Sequence, residues 1–489
     1  MSSRLGYVLR VRDLIHGFVN LTAPEVEVIN NQLFQRLRHV RQNDVAFFVY
    51  PSLNISRFEH SLGCAHVAGK MAKNLTRSHE WKSYGHAVGL SEDDLIQTCR
   101  LYALLHDVGH LPLSHLFEMA FEDYAFSKDS GKTSLQDHCK EWFGGEGFGK
   151  LHEACGSALA PEILMSTKGI SNDVRNAVLF LMQSKIVPPD NPLRPIKLLI
   201  DSEIDADRID ATARDGTLAG QEYGNYDIER LCSSVFVQKR GQSWRIAYSH
   251  KALGSIEGLL FDRCRTHNWI HFHHRVVATK VAARVLVADL LRRGDISPKD
   301  FLVKVPDQMA LRDDVWIWNK LREAAGNKVP KVEYPNANRA CIECLLYRRT
   351  KEVCLLWKNR TEYVEVTKLL IDKLSTAALA SELVPGWFGR AYERELSKHF
   401  GIRSVVFWLN FKPVSDRLTP LTDENGHHDR GHLLQNSPIV KSLGSMWQGE
   451  AQFYIVLLGH ELESKRELET LRDKWVDFTF NWLQQIART

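Results

Sequence analysis

The sequence has no strong excess of one charge, no long apolar run and no repeated or low-complexity segment. Its 489 residues carry a formal net charge of +4, which is compatible with an anionic ligand but does not require nucleic acid. The N-terminal residues have no apolar core typical of a signal peptide, and no apolar run is long enough to cross a bilayer. These absences argue against a repeat architecture and a membrane-spanning protein. They predict a cytoplasmic location, or a nuclear one in a eukaryote.

Cysteine is present, but not in the pattern of a disulfide framework. The nine cysteines are an odd set without regular spacing. Cys341 and Cys344 form one CxxC pair that has no second pair to complete a zinc site. We therefore expect reduced, partly buried thiols, with zinc binding at this pair as the alternative.

The hydrophobic periodicity predicts a mainly α fold. Residues 7–22 have the pattern of a short strand and a turn, and Thr22 offers a capping hydroxyl for a predicted helix over 24–43. A short strand is predicted over 45–51. From residue 56 onwards the pattern is overwhelmingly helical, apart from a predicted hairpin with Gly241 in its turn. The predicted helices of this region cover 57–76, 91–107, 113–125, 157–166, 172–183, 195–213 and 250–293.

Beyond residue 294 the pattern changes from helical to mixed. A polar loop over 413–437 carries His427, His428 and His432, and we interpret it as solvated rather than as a metal site. The segment 126–150, rich in Gly, Lys and Asp, is interpreted as a mobile excursion near the histidine-bearing stretch over 101–118. The last predicted elements are strands over 403–411 and 452–458 and a helix over 462–487. The predicted regions are an N-terminal strand and helix segment (1–50), a helical domain (51–293) and a smaller mixed α/β lobe (294–489).

The stretch from residue 101 to 118 carries the strongest chemical signal. An apolar helical run is followed by His106, Asp107, His110, His115 and Glu118. His106 and His110 are four residues apart, so a helix would place them on one face. Buried imidazole and carboxylate groups need polar partners, and packing alone does not explain their density. We interpret the stretch as a metal-centred active site, with hydrogen-bonded core histidines as the alternative.

Three other stretches offer similar groups. Arg57 and His60 stand at a predicted helix start, His152 lies in a short run of small and polar residues, and residues 205–215 are rich in carboxylates. Each has an ordinary interpretation when it is taken alone. Asp210 in particular is interpreted as a salt-bridged surface acid.

Taken together, the order His60, His106–Asp107 and Asp207 resembles the HD-domain metal phosphohydrolases. The resemblance is closer to the deoxynucleoside triphosphate triphosphohydrolases of the sterile-alpha-motif HD-domain type and to their bacterial dGTPase-like relatives, although no sterile-alpha-motif domain precedes the motifs here. It extends from about residue 13 to about residue 290, so the helical domain over 51–293 is identified as an HD phosphohydrolase catalytic domain. The motifs that carry it lie at 35–42, 57–63, 106–115 and 207–215.

The resemblance implies a metal site with four protein ligands, which are His60, His106, Asp107 and Asp207. Four ligands leave positions open for water and a phosphate oxygen. Manganese, iron, zinc or magnesium would suit these donors. The implied reaction is the attack of water on the α-phosphate of a dNTP, which releases a nucleoside and inorganic triphosphate.

The resemblance also implies residues around the substrate. His110, His115 and His152 would lie near the phosphates, with His152 and Glu118 paired for proton transfer. The remaining implied contacts are those of Arg57 and Arg208 with the triphosphate, and those of Gln42, Asp215, Phe272 and His274 with the nucleoside.

Some positions depart from the family pattern. Glu118 replaces an aspartate, Phe272 replaces a tyrosine, and Ala211 stands where relatives carry a tyrosine that stacks near the sugar. His152 lies in a string one residue longer than is usual in the family. These departures leave the metal ligands intact and put sugar and base selection in question.

A regulatory site is implied in the N-terminal segment over 1–50, which would also contribute to oligomer contacts. Asn30, Gln35 and Arg38 match residues that bind an activating nucleotide between subunits in relatives. Asn30 replaces the aspartate that recognises guanine, and an amide accepts hydrogen bonds at only one of its ends. We therefore predict activation by a non-guanine dNTP. The basic residues Arg348, Arg349 and Lys351 are interpreted as a solvated face rather than an effector contact.

The sequence thus predicts a metal-dependent, nucleotide-activated dNTP triphosphohydrolase that controls dNTP pools, with antiviral or anti-phage defence as a candidate use. The expected assembly is a homo-oligomer, either a dimer or a dimer-of-dimers tetramer, with no membrane partner. One alternative is an HD phosphohydrolase acting on a cyclic or alarmone nucleotide. Another is a nucleotide-sensing or nucleic-acid-binding scaffold, and single-stranded nucleic acid remains a candidate second ligand.

Overall fold

The computed structural model describes most of the chain and has a mainly α architecture with small sheets. The described residues are 6–129, 137, 140, 143, 148–222, 226–301, 306–326, 334–374, 389–409, 411, 414, 419–445 and 453–486. Most of the predicted excursion over 126–150 and part of the predicted loop over 413–437 lie outside these residues. No helix of the described part is long and apolar enough to cross a membrane.

The helices and strands before residue 294 surround the candidate site. The strands are β1 (Tyr7–Asp13), β2 (Gly17–Thr22), β3 (Val235–Arg240) and β4 (Ser243–Ser249). The helices are α1 (Ala23–Asn30), α2 (Gln32–Gln35), α3 (Arg57–Leu75), α4 (Trp81–Val88), α5 (Glu92–Leu105), α6 (His115–Asp129), α7 (Leu151–Ser166), α8 (Asn172–Gln183), α9 (Arg194–Leu198), α10 (Ala206–Leu218), α11 (Ile228–Ser233), α12 (Leu253–Thr266) and α13 (His274–Arg293).

The elements after residue 294 are mixed, as predicted. The strands are β5 (Val353–Leu355), β6 (Arg403–Trp408), β7 (Pro420–Thr422), β8 (Asp429–His432) and β9 (Phe453–Leu458). The helices are α14 (Pro306–Ala310), α15 (Asp314–Gly326), α16 (Pro335–Leu346), α17 (Arg360–Leu374), α18 (Arg390–Phe400), α19 (Leu433–Asn436), α20 (Pro438–Ser445) and α21 (Lys465–Ile486). The predicted strands over 403–411 and 452–458 are therefore confirmed with slightly shorter bounds.

The N-terminal strands form an antiparallel hairpin whose turn reaches into the protein. Asp13 pairs with Gly17 at the end of the hairpin, and Gly17 takes a positive φ of 72°. The Asp13 carboxylate accepts hydrogen bonds from the backbone amides of Ile15 and His16, each at 2.8 Å, as in an Asx turn. The His16 side chain is only 3% exposed, so the turn delivers an imidazole to the interior.

The helix predicted over 24–43 is broken at Asn31. Its start is as expected, because Thr22 and Glu25 form a capping box. Asn31 takes extended backbone angles, and its side chain accepts a hydrogen bond from the Leu33 amide at 2.9 Å. A short amide side chain can cap a new helix in this way and so compete with continuation of the old one. The strand predicted over 45–51 is also wrong, since Ala46–Phe48 is a 3-10 helix and short apolar runs are ambiguous.

Two other predicted helices are interrupted near the candidate site. The helix predicted over 195–213 is divided into α9 and α10, because Asp205 caps a new helix by accepting from the Arg208 amide at 2.7 Å. The helix predicted over 250–293 is interrupted after α12 by a π-helical segment, His267–His271. Such segments are frequent at functional sites.

In the core, helix α3 packs between α5 and α10. This approach depends on Gly63, where a Cβ atom would lie 1.8 Å from the Asp210 Oδ1 atom. Residue 63 therefore has to be glycine for α3 and α10 to come this close. The same approach places the N-terminal ends of α3 and α10 beside each other.

The sheet β3-β4-β7-β8 crosses the predicted boundary between residues 293 and 294. Strand β4 pairs in parallel with β7, and Tyr248 lies opposite Leu421. A second sheet, β5-β9-β6, is antiparallel and packs against α13. The described C-terminal elements are thus joined directly to the helical domain.

The CxxC pair lies on α16 and is buried. Both thiols are free, and burial raises the pKa of Cys344 to about 11. Protonated thiols are poor metal ligands. The expectation of reduced, buried thiols is confirmed for this pair.

Candidate metal centre

Three backbone segments bring polar side chains to one point. Helix α3 begins at Arg57 because Ser56 and Glu59 form a capping box, and this places His60 in its first turn. The segment after α5 supplies His106 and Asp107. Helix α10 begins after the Asp205 cap and supplies Asp207 in its own first turn.

The segment after α5 is a turn, which begins two residues before the end of the helix predicted over 91–107. Helix α5 ends at Leu105, and the His110 amide donates to the Asp107 carbonyl oxygen at 3.1 Å. Gly109 presses against α7, where a Cβ atom would lie 2.1 Å from the His152 carbonyl oxygen. His106 and His110 therefore do not share a helical face. Two clusters of histidines result, one on each side of the turn.

The first cluster contains three of the four predicted metal ligands. One ligand atom each of His60, His106 and Asp207, together with Cys64, lies within 4.8 Å of all the others. His60 Nε2 is 3.0 Å from Asp207 Oδ1. Asp107 is outside that group of four, but its carboxylate lies 3.7 Å from His60 Nε2 and 3.4 Å from His106 Nε2.

The imidazole of His106 is oriented as a metal ligand requires. Its Nδ1 atom lies 2.7 Å from the Ala103 carbonyl oxygen, which can only accept, so Nδ1 carries the proton. The Nε2 atom then holds a lone pair. This atom is buried and makes no hydrogen bond within the described residues, and a buried polar atom of this kind requires a partner.

His60 is held from its other side by a carboxylate. Its Nδ1 atom lies 2.8 Å from Asp210 Oδ2, so Nε2 faces Asp207 with its lone pair. Burial lowers the pKa of His60, but Cys64, Asp207 and Asp210 together raise it well above its ordinary value. The position thus favours a positive charge, which a proton or a metal ion can supply.

Cys64 does not fit the role of a ligand in this cluster. Burial raises the pKa of its thiol far above the ordinary range, although His60 opposes the shift. A thiol has to lose its proton to bind a metal ion. The donor set that fits a divalent ion is therefore two imidazoles and the carboxylates of Asp207 and Asp107.

Arg57 is committed to Asp107 and is not open to solvent. Its guanidinium forms an ion pair with the Asp107 carboxylate and donates to Ser114 Oγ at 2.8 Å. Burial raises the pKa of Asp107, but Arg57, His106 and His110 outweigh it and hold that pKa well below its usual range. Asp107 thus remains an oriented carboxylate. In this structure Arg57 therefore orients Asp107, and its guanidinium is not exposed for binding a phosphate.

The second cluster consists of His110, His115 and His152. Their ring centroids are separated by 4.1 Å between His110 and His152, by 4.8 Å between His110 and His115, and by 5.0 Å between His115 and His152. Glu118 Oε1 lies 2.6 Å from His152 Nδ1 and also accepts from the His152 amide at 2.8 Å. The structure therefore brings the expected His152–Glu118 pair together.

The charges of the second cluster are set by burial and by Glu118. Burial raises the pKa of Glu118, but His152 and His115 outweigh it and lower that pKa well below its ordinary value. Burial lowers the pKa of His110, and Arg57 lowers it further. At neutral pH the cluster therefore has an ionised carboxylate and a neutral His110. A neutral imidazole can donate at one nitrogen and accept at the other.

The residues expected around the nucleoside are only partly brought together. Asp215 is buried and binds Asn43 Nδ2 at 2.6 Å and His271 Nε2 at 3.2 Å. It does not bind Gln42, whose side-chain oxygen is buried without a hydrogen-bond partner in the described part of the chain. Asn43 and His271 were missed by sequence reasoning. The histidine-rich run at 271–274 was the signal for His271.

The other expected substrate residues lie on α10, directly after the π-helical segment and at the start of α13. Arg208 is half-buried and donates to Asp205 Oδ2 at 3.1 Å. Phe272 is half-buried, 5.5 Å from the His267 ring, and His274 begins α13 with its ring 4.4 Å from that of His273.

The expected effector residues lie on the N-terminal helices. Gln35 Oε1 accepts from Arg38 Nε at 2.7 Å, and the Arg38 guanidinium lies 3.7 Å from the centroid of the Phe58 ring. Asn30 is exposed at the end of α1. The basic residues near position 350 have partners: Arg349 binds Glu343, Lys351 binds Glu461, and Arg348 donates to the Phe48 carbonyl oxygen. These pairings agree with a solvated, ion-paired face.

The interpretation of Asp210 as a surface acid is wrong. Asp210 is fully buried, and its carboxylate binds His60, His16 and Arg214. The sequence signals were its position three residues after Asp207 and the Asp210–Arg214 spacing of four on a helix. The long-range partner His16 has no sequence signal.

Comparison with known proteins identifies an HD domain over residues 57–212, which contains every expected metal ligand. An uncharacterized protein of Methanocaldococcus jannaschii is 25% identical over 333 residues, covering 68% of this chain and 59% of that protein. The deoxynucleoside triphosphate triphosphohydrolase SAMHD1 of Homo sapiens is 26% identical over 292 residues, covering 57% of this chain and 44% of that protein. The chain thus spans about half the length of the curated relatives it matches.

Two solved structures share the fold. A hypothetical protein from Aquifex aeolicus matches with a TM-score of 0.60 and 19% identity, covering 96% of this chain and 99% of that one. A phosphohydrolase from Bacteroides thetaiotaomicron matches with a TM-score of 0.62 and 18% identity, covering 93% and 100%. The HD domain and the cluster of His and Asp donors support a metal-dependent hydrolase.

Proposed function

We propose that this protein is a metal-dependent dNTP triphosphohydrolase, which converts a dNTP into a deoxynucleoside and inorganic triphosphate. The observation that carries the proposal is the pair of histidine clusters on either side of the turn after α5. One cluster has the donors for a metal ion, and the other has a carboxylate-bound histidine for proton transfer. The HD domain and the likeness to a deoxynucleoside triphosphate triphosphohydrolase support the same assignment.

The metal would be held by His60, His106, Asp107 and Asp207. Such an ion supplies Lewis acidity at a phosphate oxygen and makes water more acidic. The protein side chains prepare the site: the Ala103 carbonyl orients His106, Asp210 orients His60, and Arg57 orients Asp107. Fixed ligands avoid the cost of reorganisation during the reaction.

The pair His152–Glu118 would move the proton. The ionised Glu118 carboxylate keeps a proton on Nδ1 of His152, which leaves Nε2 to exchange a proton with the reacting oxygen atoms. The same carboxylate stabilises the imidazolium that forms. His110 and His115 would bind phosphate oxygens through N–H groups, and the half-buried Arg208 would bind the triphosphate.

A product analysis tests this proposal. The purified protein is incubated with manganese or magnesium and each dNTP, alone and in mixtures, and triphosphate, pyrophosphate, phosphate and nucleoside are quantified. We expect equal amounts of triphosphate and deoxynucleoside, and none from the Asp207→Ala variant. Release of pyrophosphate or phosphate alone, or no release from any mixture despite bound metal, would contradict the assignment.

The surroundings of Asp215 bear on a second candidate substrate class. Asn43 and His271 already bind this carboxylate, so a sugar 3′-hydroxyl would share it with them, whereas a nucleotide whose 3′ oxygen is esterified would not need that contact. An HD phosphohydrolase acting on a cyclic or alarmone nucleotide is the corresponding alternative. The same analysis with these nucleotides, in which only they are consumed, would favour it.

Regulation by a nucleotide between subunits of a homo-oligomer is a further part of the proposal. Asn30, Gln35 and Arg38 would contact the activator, and the amide of Asn30 disfavours guanine. We expect a pyrimidine or adenine dNTP to activate hydrolysis and the Asn30→Asp variant to gain activation by GTP. Equal or better activation of the unmodified protein by GTP or dGTP would contradict this assignment.

A further inference from the structure

A network of buried charged groups lies behind the metal centre and connects it to the N-terminal hairpin. Its centre is Asp210 on α10. Asp210 Oδ1 lies 2.7 Å from His16 Nε2 and 2.7 Å from an Arg214 nitrogen, and Oδ2 lies 2.8 Å from His60 Nδ1 and 2.9 Å from Arg214 Nε. Because each of its oxygen atoms accepts two hydrogen bonds, this carboxylate has little freedom to rotate.

The network extends from Arg214 to the turn of the hairpin. Arg214 donates to Asp13 Oδ2 at 3.0 Å, while Asp13 Oδ1 accepts the amides of Ile15 and His16. Asp13 therefore fixes both the guanidinium and the backbone that carries the His16 ring. Charged groups therefore join the hairpin turn to helix α10.

The network is shielded from water. The residues Asp210 and His60 are fully buried, and the side chains of His16 and Arg214 are 3% and 2% exposed. Gly63 leaves the space for it, because a Cβ atom there would lie 1.8 Å from Asp210 Oδ1 and 2.4 Å from the Arg214 guanidinium. Buried charges keep their geometry only when each one has a partner.

We propose that His16 is a positioning residue of the metal centre, which acts on the ligand His60 through Asp210. The proposal rests on the metal site of the proposed function but not on the identity of the nucleotide. Hydrogen-bonded carboxylates behind ligating histidines fix the tautomer and the ring orientation. Here that carboxylate is itself fixed by a residue of the hairpin, almost two hundred positions away in sequence.

Two substitutions of His16 differ in whether they keep its hydrogen bond to Asp210. His16 binds through Nε2, and the amide nitrogen of glutamine reaches nearly the same place as that atom. The amide nitrogen of asparagine reaches only as far as Nδ1. His16→Gln therefore retains a donor for Asp210 Oδ1, whereas His16→Asn loses it. Leu14→Ala is the matched control, because Leu14 lies in the same turn and is 65% exposed.

The experiment measures manganese binding by the full chain. Metal is removed with a chelator, and manganese affinity and stoichiometry are determined by calorimetric titration without any nucleotide. We expect His16→Asn to bind manganese about 10- to 100-fold more weakly than the unmodified protein. His16→Gln and Leu14→Ala should remain close to the unmodified protein. Thermal unfolding of each variant shows whether it is folded.

Unchanged manganese affinity in a folded His16→Asn variant would overturn the proposal, and so would an equal loss in His16→Gln and His16→Asn. If His16→Asn does not fold, nitrogen NMR of the histidine rings in the unmodified zinc-loaded protein decides. The proposal then requires hydrogen-bonded protons on both Nε2 of His16 and Nδ1 of His60, and an unprotonated nitrogen at either place would contradict it.

Failure of this proposal can be distinguished from failure of the proposed function. Loss of manganese affinity in His16→Asn, together with no triphosphate release by the unmodified protein, would leave the positioning role intact and remove the dNTP assignment. An unmodified protein that binds no divalent metal would remove both.

Discussion

The two histidine clusters meet at the turn after α5, yet they are built differently. In the first, His60 and His106 each bind an acceptor through Nδ1, which leaves Nε2 of both directed at Asp207 and Asp107. In the second, the rings of His110 and His152 stack at 4.1 Å, and Glu118 binds the group from one edge. The first arrangement concentrates lone pairs on one point, as a metal ion requires. The second leaves N–H groups and a protonatable nitrogen for a substrate.

Exposure does not separate the clusters. In the first, the His60 side chain is completely buried and the Asp207 side chain is 40% exposed. In the second, the His110 and His115 side chains are 2% and 53% exposed. The identity of the residue, histidine in every case, therefore says less about its role than the partner on its far nitrogen.

Removal of a ligand from the first cluster should have the largest effect. In His106→Ala we expect loss of bound metal and a fall in hydrolysis of at least about 10³-fold, since a metal ion supplies several kcal/mol to such reactions. Metal content by elemental analysis and turnover by triphosphate release provide the measurement. A variant that retains both metal and activity would show that the division between the clusters is wrong.

A change in the second cluster should reduce catalysis and leave the metal in place. Glu118→Gln keeps the shape of the side chain but removes the charge that supports His152. We expect kcat to fall by roughly 10²-fold, as for loss of general acid–base catalysis, with unchanged metal content. If the metal is lost together with activity, the two clusters act as one site.

The smallest expected effect concerns the segment between His110 and His115, which leads into α6. Leu113 and Ser114 have positive φ angles of 59° and 53°, which are unusual for residues other than glycine. The buried Asp314 holds this segment, because its carboxylate accepts from the Leu113 amide at 2.7 Å and from the Arg41 amide at 3.0 Å. Burial raises the pKa of Asp314 to about 6, against the opposing effect of these hydrogen bonds.

This raised pKa predicts a dependence of stability on pH. Between about pH 4 and pH 6 the folded carboxyl group keeps a proton that the unfolded chain has lost. The contribution of Asp314 to the free energy of unfolding is therefore complete below pH 4. It is lost as the pH rises through about 6, at about 1.4 kcal/mol per pH unit. Urea unfolding of the protein and of Asp314→Asn across this range measures it. A constant difference between the two free energies of unfolding would contradict the prediction.

The sequence was a better guide to which polar side chains come together than to how the backbone presents them. His60, His106 and Asp207 could be chosen because the order of their motifs resembles that of the HD-domain metal phosphohydrolases, and the structure brings them together. The helix predicted over 91–107 ends two residues earlier, at Leu105, and the turn that follows separates His106 and His110, which their spacing of four would place on one face of a helix. The break at Asn31 was missed, since one side-chain cap outweighs the periodicity around it.

The contacts that sequence reasoning missed are long-range ones. Asp210 was interpreted as a surface acid because its partners His16 and His60 are distant in sequence. Asn43 and His271 were missed at Asp215 for the same reason. A single sequence contains no signal that pairs such residues, so polar networks of this kind become visible only in three dimensions.

The parallel pairing of β4 with β7 has a consequence for how the chain is made. Ser249 lies opposite Thr422, so its partner leaves the ribosome roughly 170 residues later, about 9 to 35 seconds at ordinary rates of synthesis. During that interval the growing chain carries an open strand edge, which is a template for wrong association. Fast completion of synthesis, or a chaperone that covers the edge, would limit such association until the sheet closes.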